Sequence, residues 1–186
     1  ILVCSSRTPG FCQYDSVAFV DCCQDIREYF SNVGDSLGVN IQLKWRVTEK
    51  YAVEIGLSEK EAKSGAGDLA AALDESDVIF CSPSTLILEA MLMKKPVVLF
   101  DYTGSPVSVA CAWNIFCKRH IEMVAEDVLL MREERFKFQE STLLNHIYFS
   151  EVPASKNLLS FISGEPFDEG KTHSVDDFSN ASLLVE

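Results

Sequence analysis

Nothing in this 186-residue chain is apolar for long enough to span a membrane: no run approaches the roughly 18 residues that a bilayer crossing needs. Positive charge is scarce. Sixteen Lys and Arg stand against 28 Asp and Glu, a net charge of −12, which argues against non-specific binding to nucleic acid, where a basic face is wanted. No two of the seven Cys form a Cys-x-x-Cys pair, and His120, His146 and His173 are scattered. Neither a metal site nor a redox dithiol is therefore expected. Also missing are Gly-x-x-x-x-Gly-Lys-Ser/Thr, Gly-x-Gly-x-x-Gly after the first strand, and Gly-x-Ser-x-Gly. With no such motif, no cofactor is expected, and there is no internal repeat.

What is present is the material of a packed core: 47% hydrophobic residues, 12 of them Phe. Several Cys lie in apolar stretches and read as small core residues in a reducing compartment, so the expected location is cytoplasmic. The chain has no initiator Met, and residue 1 already sits in a strand-like run. It reads as starting inside a longer polypeptide.

Along the chain, short apolar strands alternate with helical patterns. Ile1-Leu2-Val3-Cys4 is a strand; residues 16–30 place Val17, Phe19, Val20, Cys23, Ile26 and Phe30 at helical spacing, with Gly34 as a stop. Residues 39–46 alternate as a strand, and residues 51–57 read as another short strand. Residues 58–68 form a polar loop, and Leu69, Ala72 and Leu73 share a helix face. Val78-Ile79-Phe80-Cys81 is a strand, residues 86–93 a short helix that is apolar nearly all round, and Pro96-Val97-Val98-Leu99-Phe100 a strand. Residues 107–116 are ambiguous between helix and strand, residues 124–149 mostly helical, and residues 154–162 a last helix. The pattern predicts an α/β fold, a Rossmann-like parallel sheet with helices on both faces, over residues 1–163, followed by an acidic, Ser-rich tail over 164–186.

In such sheets ligands sit outside the carboxyl ends of the strands. Four strand ends carry polar groups: Ser5-Ser6-Arg7, Lys44-Trp45-Arg46, Ser82-Pro83-Ser84-Thr85 and Asp101-Tyr102-Thr103. The third also opens a helix, whose free N–H groups suit phosphate. Ser84 and Thr85 add hydroxyls there, while Arg7, Lys44 and Arg46 would bring cations beside them. Each has a plainer reading: Ser84 or Thr85 as an N-cap, Arg7 in a surface ion pair, Lys44 and Arg46 on the solvent side of an edge strand. Glu89 falls in a helix that otherwise looks buried, so it is expected either to pair with a protein cation or to accept ligand hydroxyls, the second being preferred.

The segment SDVIFCSPSTLILEAMLMKKPVVLFD resembles the donor-binding segment of GT-B glycosyltransferases, with Ser84, Thr85, Glu89, Ala90, Lys95 and Pro96 in register. More weakly, IQLKWRVTEKY resembles the upstream strand that delivers a basic residue, and PASKNLLSFI the closing helix. The resemblance implies one half of a GT-B fold, whose partner is a nucleotide diphosphate sugar. Ser84 and Thr85 would bind the diphosphate and Glu89 the ribose hydroxyls. Ser5, Ser6, Arg7, Lys44, Arg46 and Ser82 are further candidates for the substrate site. No catalytic residue is assigned, because in that group the acceptor site, usually the base and any membrane contact belong to an N-terminal domain, without which this half would bind but not turn over. The sequence departs from the family in having Ser82-Pro83 where many relatives have a Gly-rich turn, and Trp45-Arg46 after Lys44 where many have x-His-Pro.

Two alternatives stand beside it. A UDP-N-acetylglucosamine 2-epimerase-like domain would show an Asp-Ser-Gly-Gly turn followed by paired Glu, which this chain lacks. A ligand-free Rossmann-like interaction module would carry an exposed apolar patch in place of a polar crevice.

Overall fold

The structure, a computed structural model, describes residues 1–5, 13–33 and 40–147. The chain divides into two units, Ile1–Leu143 and Leu144–Glu186, and all five strands belong to the first. The continuous apolar runs form β1 (Leu2–Cys4), β3 (Ile79–Cys81) and β4 (Val97–Phe100), every residue of which is buried. Such runs suit strands covered on both faces. With β2 (Lys44–Arg46) and β5 (Trp113–Ile115) they make one parallel sheet in the order β2-β1-β3-β4-β5. The architecture is the expected α/β, Rossmann-like one.

Helices cover both faces. On one, Val3, Trp45, Phe80, Val98, Phe100, Trp113 and Ile115 pack with α1 (Gln13–Val33), α2 (Glu49–Ile55) and α6 (His120–Leu129). Phe19 of α1 lies 5.9 Å from Phe100, ring centre to ring centre, and Phe30 lies 5.8 Å from Phe80. Alternation along the strands turns Leu2, Cys4, Ile79, Cys81, Val97 and Leu99 to the other face, where α5 (Leu86–Leu92) presents Ile87, Ala90 and Met91 to β3 and β4. α4 (Leu69–Asp74) buries Ala72 and Leu73, in keeping with the helix face read from sequence.

Several local expectations are corrected. Residues 51–57 are not a strand. Thr48 and Gly56, the latter at φ 81°, bound α2, and its Tyr51, Ala52 and Ile55 bury one helical face. The loop expected over 58–68 contains α3 (Glu59–Ala62), closed by a capping box between Ser58 and Glu61. The strand expected over 39–46 is only Lys44–Arg46, because β1 offers three pairing positions. Residues 107–116 resolve into an irregular segment and then β5. The long helix expected over 124–149 is two, α6 and α7 (Glu133–His146), separated around Met131 at φ 45°. Gly34, the helix 154–162 and the expected boundary at residue 163 lie outside the described residues.

Two polar clasps tie helices to this framework. Buried Gln139 of α7 accepts from the Val97 N–H at 2.8 Å and donates to the Lys95 carbonyl at 3.1 Å, fixing the entry to β4. Arg27 of α1 holds Glu61 of α3 through two bonds of 3.1 Å. The Ser58 hydroxyl and N–H, together with Arg27, hold the Glu61 carboxyl down at about 2 from its ordinary 4.5.

Gln139→Leu leaves the buried Val97 N–H without its partner and should cost about 1–3 kcal/mol in urea unfolding. Glu61 is ionised in the fold at pH values where it would be protonated in the unfolded chain, so its contribution is present above about 4.5 and is lost as pH falls toward 2. Unfolding measured between pH 5 and about 2 should therefore steepen in the native protein relative to Glu61→Gln; equal slopes would show that the cluster adds nothing.

Candidate functional site

The order β2-β1-β3-β4-β5 reverses direction between β1 and β3. In open parallel sheets the crevice next to such a reversal, at the carboxyl ends, is where ligands bind. The register aligns Cys4 with Arg46 and Cys81, and Cys81 with Leu99, so the carboxyl ends of these strands share one edge.

A cavity of about 650 Å³ opens there. Its floor is the turn after β3, with Ser82, Pro83, Ser84 and Thr85; one wall is the segment after β4, with Asp101, Tyr102, Thr103, Ser105 and Ser108; α1 closes it with Asp15, Phe19 and Cys22. The walls carry six hydroxyl-bearing Ser and Thr, two carboxylates, and no Lys, Arg or His among the described residues. The segment after β4 is shaped by its own side chains. Asp101 accepts from the Thr103 N–H at 2.8 Å, Thr103 Oγ1 accepts from the Ser105 N–H at 3.1 Å, and Gly104 takes φ 71° between them. Tyr102 lies against the Cys22 thiol and donates to Asp25 Oδ2 at 3.2 Å, and Asp25 in turn binds Lys118 at 2.9 Å. Burial, with Cys22 and Asp25 beside it, pushes the Tyr102 phenol well up.

Of the residues singled out from sequence, Ser82, Ser84 and Thr85 come together here. Ser84 Oγ sits 3.2 Å from Cys81 Sγ, while Thr85 occupies the N-cap position of α5 without making a side-chain capping bond. α5 is only seven residues long, two turns, so its dipole is small. Ser5 and Arg46 line a different, smaller hollow of about 320 Å³ beside β2. Arg46 Nη1 is engaged there by the Gly65 and Gly67 carbonyls at 2.9 and 3.0 Å. A Cβ on Gly65 would come within 2.7 Å of the Trp45 carbonyl oxygen, which is why the loop that Arg46 holds approaches β2 through a glycine.

Two placements correct the expectation of cations and a carboxylate gathered around Ser84. Lys44 is the first residue of β2 and pairs with Leu2, so it stands at the amino end of the sheet, where its Nζ binds Glu75 at 2.9 Å. β2 is an edge strand with Trp45 buried between half-buried Lys44 and Arg46, which is the plainer reading of that stretch. Glu89 is neither buried nor paired among the described residues: α5 turns Ile87, Ala90 and Met91 inward, and Glu89 is exposed and does not line the cavity. Ser6 and Arg7 lie outside the described residues.

Asp101, Tyr102 and Thr103, read from sequence as one of the polar strand ends, also line the cavity. Asp15, Phe19 and Cys22 are cavity residues that the sequence did not single out, because they come from a helix far away in sequence and carry no such signal. Among the described residues no group of His, Cys, Asp and Glu is arranged to hold a metal ion, and no helix is long and apolar enough to cross a membrane.

Cys4, Cys22, Cys23, Cys81 and Cys111 are buried free thiols, and Cys117 is half-buried. Burial pushes Cys81 and Cys111 up to about 12 and raises Cys4, Cys22 and Cys23 further. Because the thiolate is the reactive form, Cys117 should label rapidly with a maleimide at pH 7.5 and the other five only on unfolding. Peptide mapping of a time course checks this, and early labelling of Cys81 or Cys22 would show the cavity region opening. No family model, curated protein or solved structure matches this chain, so any functional reading rests on its own residues.

Proposed function

We propose that this domain binds a nucleotide diphosphate sugar and serves as the donor-binding half of a glycosyltransferase of the GT-B kind. The observation that carries the reading is the cavity of about 650 Å³ at the carboxyl edge, floored by Ser82, Ser84 and Thr85. This is the stretch in which the sequence resembles a donor-binding segment, and it lies where a doubly wound sheet takes its ligands. Hydroxyl groups on the floor and the opposite wall are suited to phosphate oxygens and sugar hydroxyls, and Phe19, Leu88, Phe100 and Val109 supply apolar surface for a flat ring. In this reading the protein would stabilise the departing diphosphate by fixed hydrogen-bond donors rather than by a metal. The acceptor and the base would come from a further domain, so the proposal for this chain is binding, not turnover.

The placements reshape the donor reading. Lys44 and Glu89 drop out of it, Arg46 and Ser5 sit in a separate hollow, and the weight falls on Ser82, Ser84 and Thr85. An interaction module without ligand is less well supported, since the carboxyl edge holds an open crevice in which Ser and Thr hydroxyls stand among apolar side chains.

Calorimetry with UDP, GDP and CDP tests the reading, with one of the three expected to bind. Ser84→Ala and Thr85→Val should each weaken that binding about three- to tenfold, the worth of a single neutral hydrogen bond, without lowering the melting temperature. Glu89→Gln, by contrast, should change neither affinity nor stability. Absence of heat with all three nucleotides, or affinities untouched by the Ser84 and Thr85 substitutions, would remove the donor from this cavity.

A further inference from the structure

The sheet ends at β5, whose outer side has no neighbouring strand among the described residues. The Asp101 N–H donates to the Ile115 carbonyl, so Ile115 turns its backbone groups toward β4, and alternation along the ladder turns those of Asn114 outward. The outward groups on either side are held by side chains. Arg135 Nη1 donates to the Ala112 carbonyl at 2.9 Å, and the Phe116 N–H donates to His120 Nδ1 at 3.3 Å. Between these two caps, the N–H and carbonyl of Asn114 have no partner among the described residues. Beside this opening lies a groove of about 560 Å³, into which Phe116, Met123 and Leu130 bring exposed apolar side chains. Its acids and guanidinium groups balance, Glu126 and Asp127 against Arg132 and Arg135, on a chain whose net charge is −12.

An edge protected against pairing carries Lys, Pro or a bulge. β5 reads Trp-Asn-Ile, and apolar side chains stand beside it. We propose that β5 pairs with β5 of a second copy of this chain, antiparallel about a two-fold axis at Asn114. The pairing is then self-complementary, as an isologous interface requires. The N–H and carbonyl of Asn114 meet the carbonyl and N–H of Asn114 in the second copy, and Ala112 stands opposite Phe116. The Phe116 N–H and the Ala112 carbonyl thus exchange their side-chain partners for each other across the axis, and no backbone group is left unpaired. Charge selects the same occupant. Two chains of −12 repel over most of their surface, and a groove with as many guanidinium as carboxylate groups is where they can meet. The two-fold closes on itself, so the assembly stops at two copies. None of this depends on the donor reading, because the groove and the crevice are lined by different residues.

The test is sedimentation velocity on the full 186-residue chain, joined to amide hydrogen exchange. Between about 1 and about 100 µM, where a small interface dissociates, one chain should pass to two. Exchange of the Asn114 amide should slow at least about tenfold over the same range. Met123→Lys alters a side chain that is 68% exposed, so it should melt at the native temperature when dilute yet weaken the dimer at least about tenfold. His120→Ala removes the side chain that competes for the Phe116 N–H, and should tighten the dimer about three- to tenfold. A single chain at every concentration, growth beyond two copies, or a dimer indifferent to Met123→Lys would each overturn the proposal. So would a dimer whose Asn114 amide exchanges as fast as in the single chain. Association of His120→Ala with the native protein remaining single would overturn it as well, since the caps would then be guards of the edge. Sedimentation and exchange of the native protein need no variant and decide the matter even if a substituted chain does not fold.

Discussion

A parallel sheet built from strands of three and four residues can persist only if both of its faces are covered. That constraint governs the rest of this molecule. Val3, Phe80 and Val98 on one face, and Leu2, Cys4, Ile79, Cys81, Val97 and Leu99 on the other, are entirely without solvent contact. The ladder bonds of so few residues would not hold without the helices that exclude water from them. The apolar faces of α1, α2 and α6 on one side and of α5 on the other follow from it. So does the use of small thiols where two strands lie side by side, as Cys4 and Cys81 do.

With both faces committed to packing, polar chemistry is confined to the ends of the strands. The two ends are put to different use. At the amino end, polar side chains are spent on the protein itself: Lys44 on Glu75, and Gln139 on the backbone of Lys95 and Val97. At the carboxyl end, Arg46 is likewise spent on the 65–67 loop, but the turns after β3 and β4 line a cavity with hydroxyls and a carboxylate. A cavity therefore forms beside β3 and β4 and only a shallow hollow beside β2.

The sequence made the fold legible wherever burial on both faces wrote a continuous apolar run, as at Val78 to Cys81 and Pro96 to Phe100. It misled where side-chain type and end signals disagreed. Tyr51, Val53 and Ile55 favour strands by kind, yet Thr48 before them and Gly56 after them delimit a helix, and the caps were the better guide. The turn after β3, which lines the cavity, was legible as a polar strand end because it interrupts an apolar run with four small or polar residues. The cations were not, since which end of β2 carries Lys44 depends on its register with β1, and register is a property of the pair. Glu89 failed for a related reason: one polar residue in an apolar helix marks the outward face as readily as a buried site, and only the position of α5 on the sheet distinguishes them.

The passage from β4 to β5 contains no helix. Residues 101–112 run from one strand to its neighbour without a helical ladder, held at the start by the side-chain acceptors of Asp101 and Thr103. Every other crossing in the sheet is weighted down by helices whose length and apolar face must match the strands beneath them. This one is free of that requirement. Lengthening it by several residues would add only a fraction of a kilocalorie per mole in closure entropy, since that cost grows with the logarithm of loop length. The wall of the cavity can thus be rebuilt by insertion or deletion while the core stays as it is, so what the crevice accepts can diverge between descendants of one scaffold much faster than the scaffold itself.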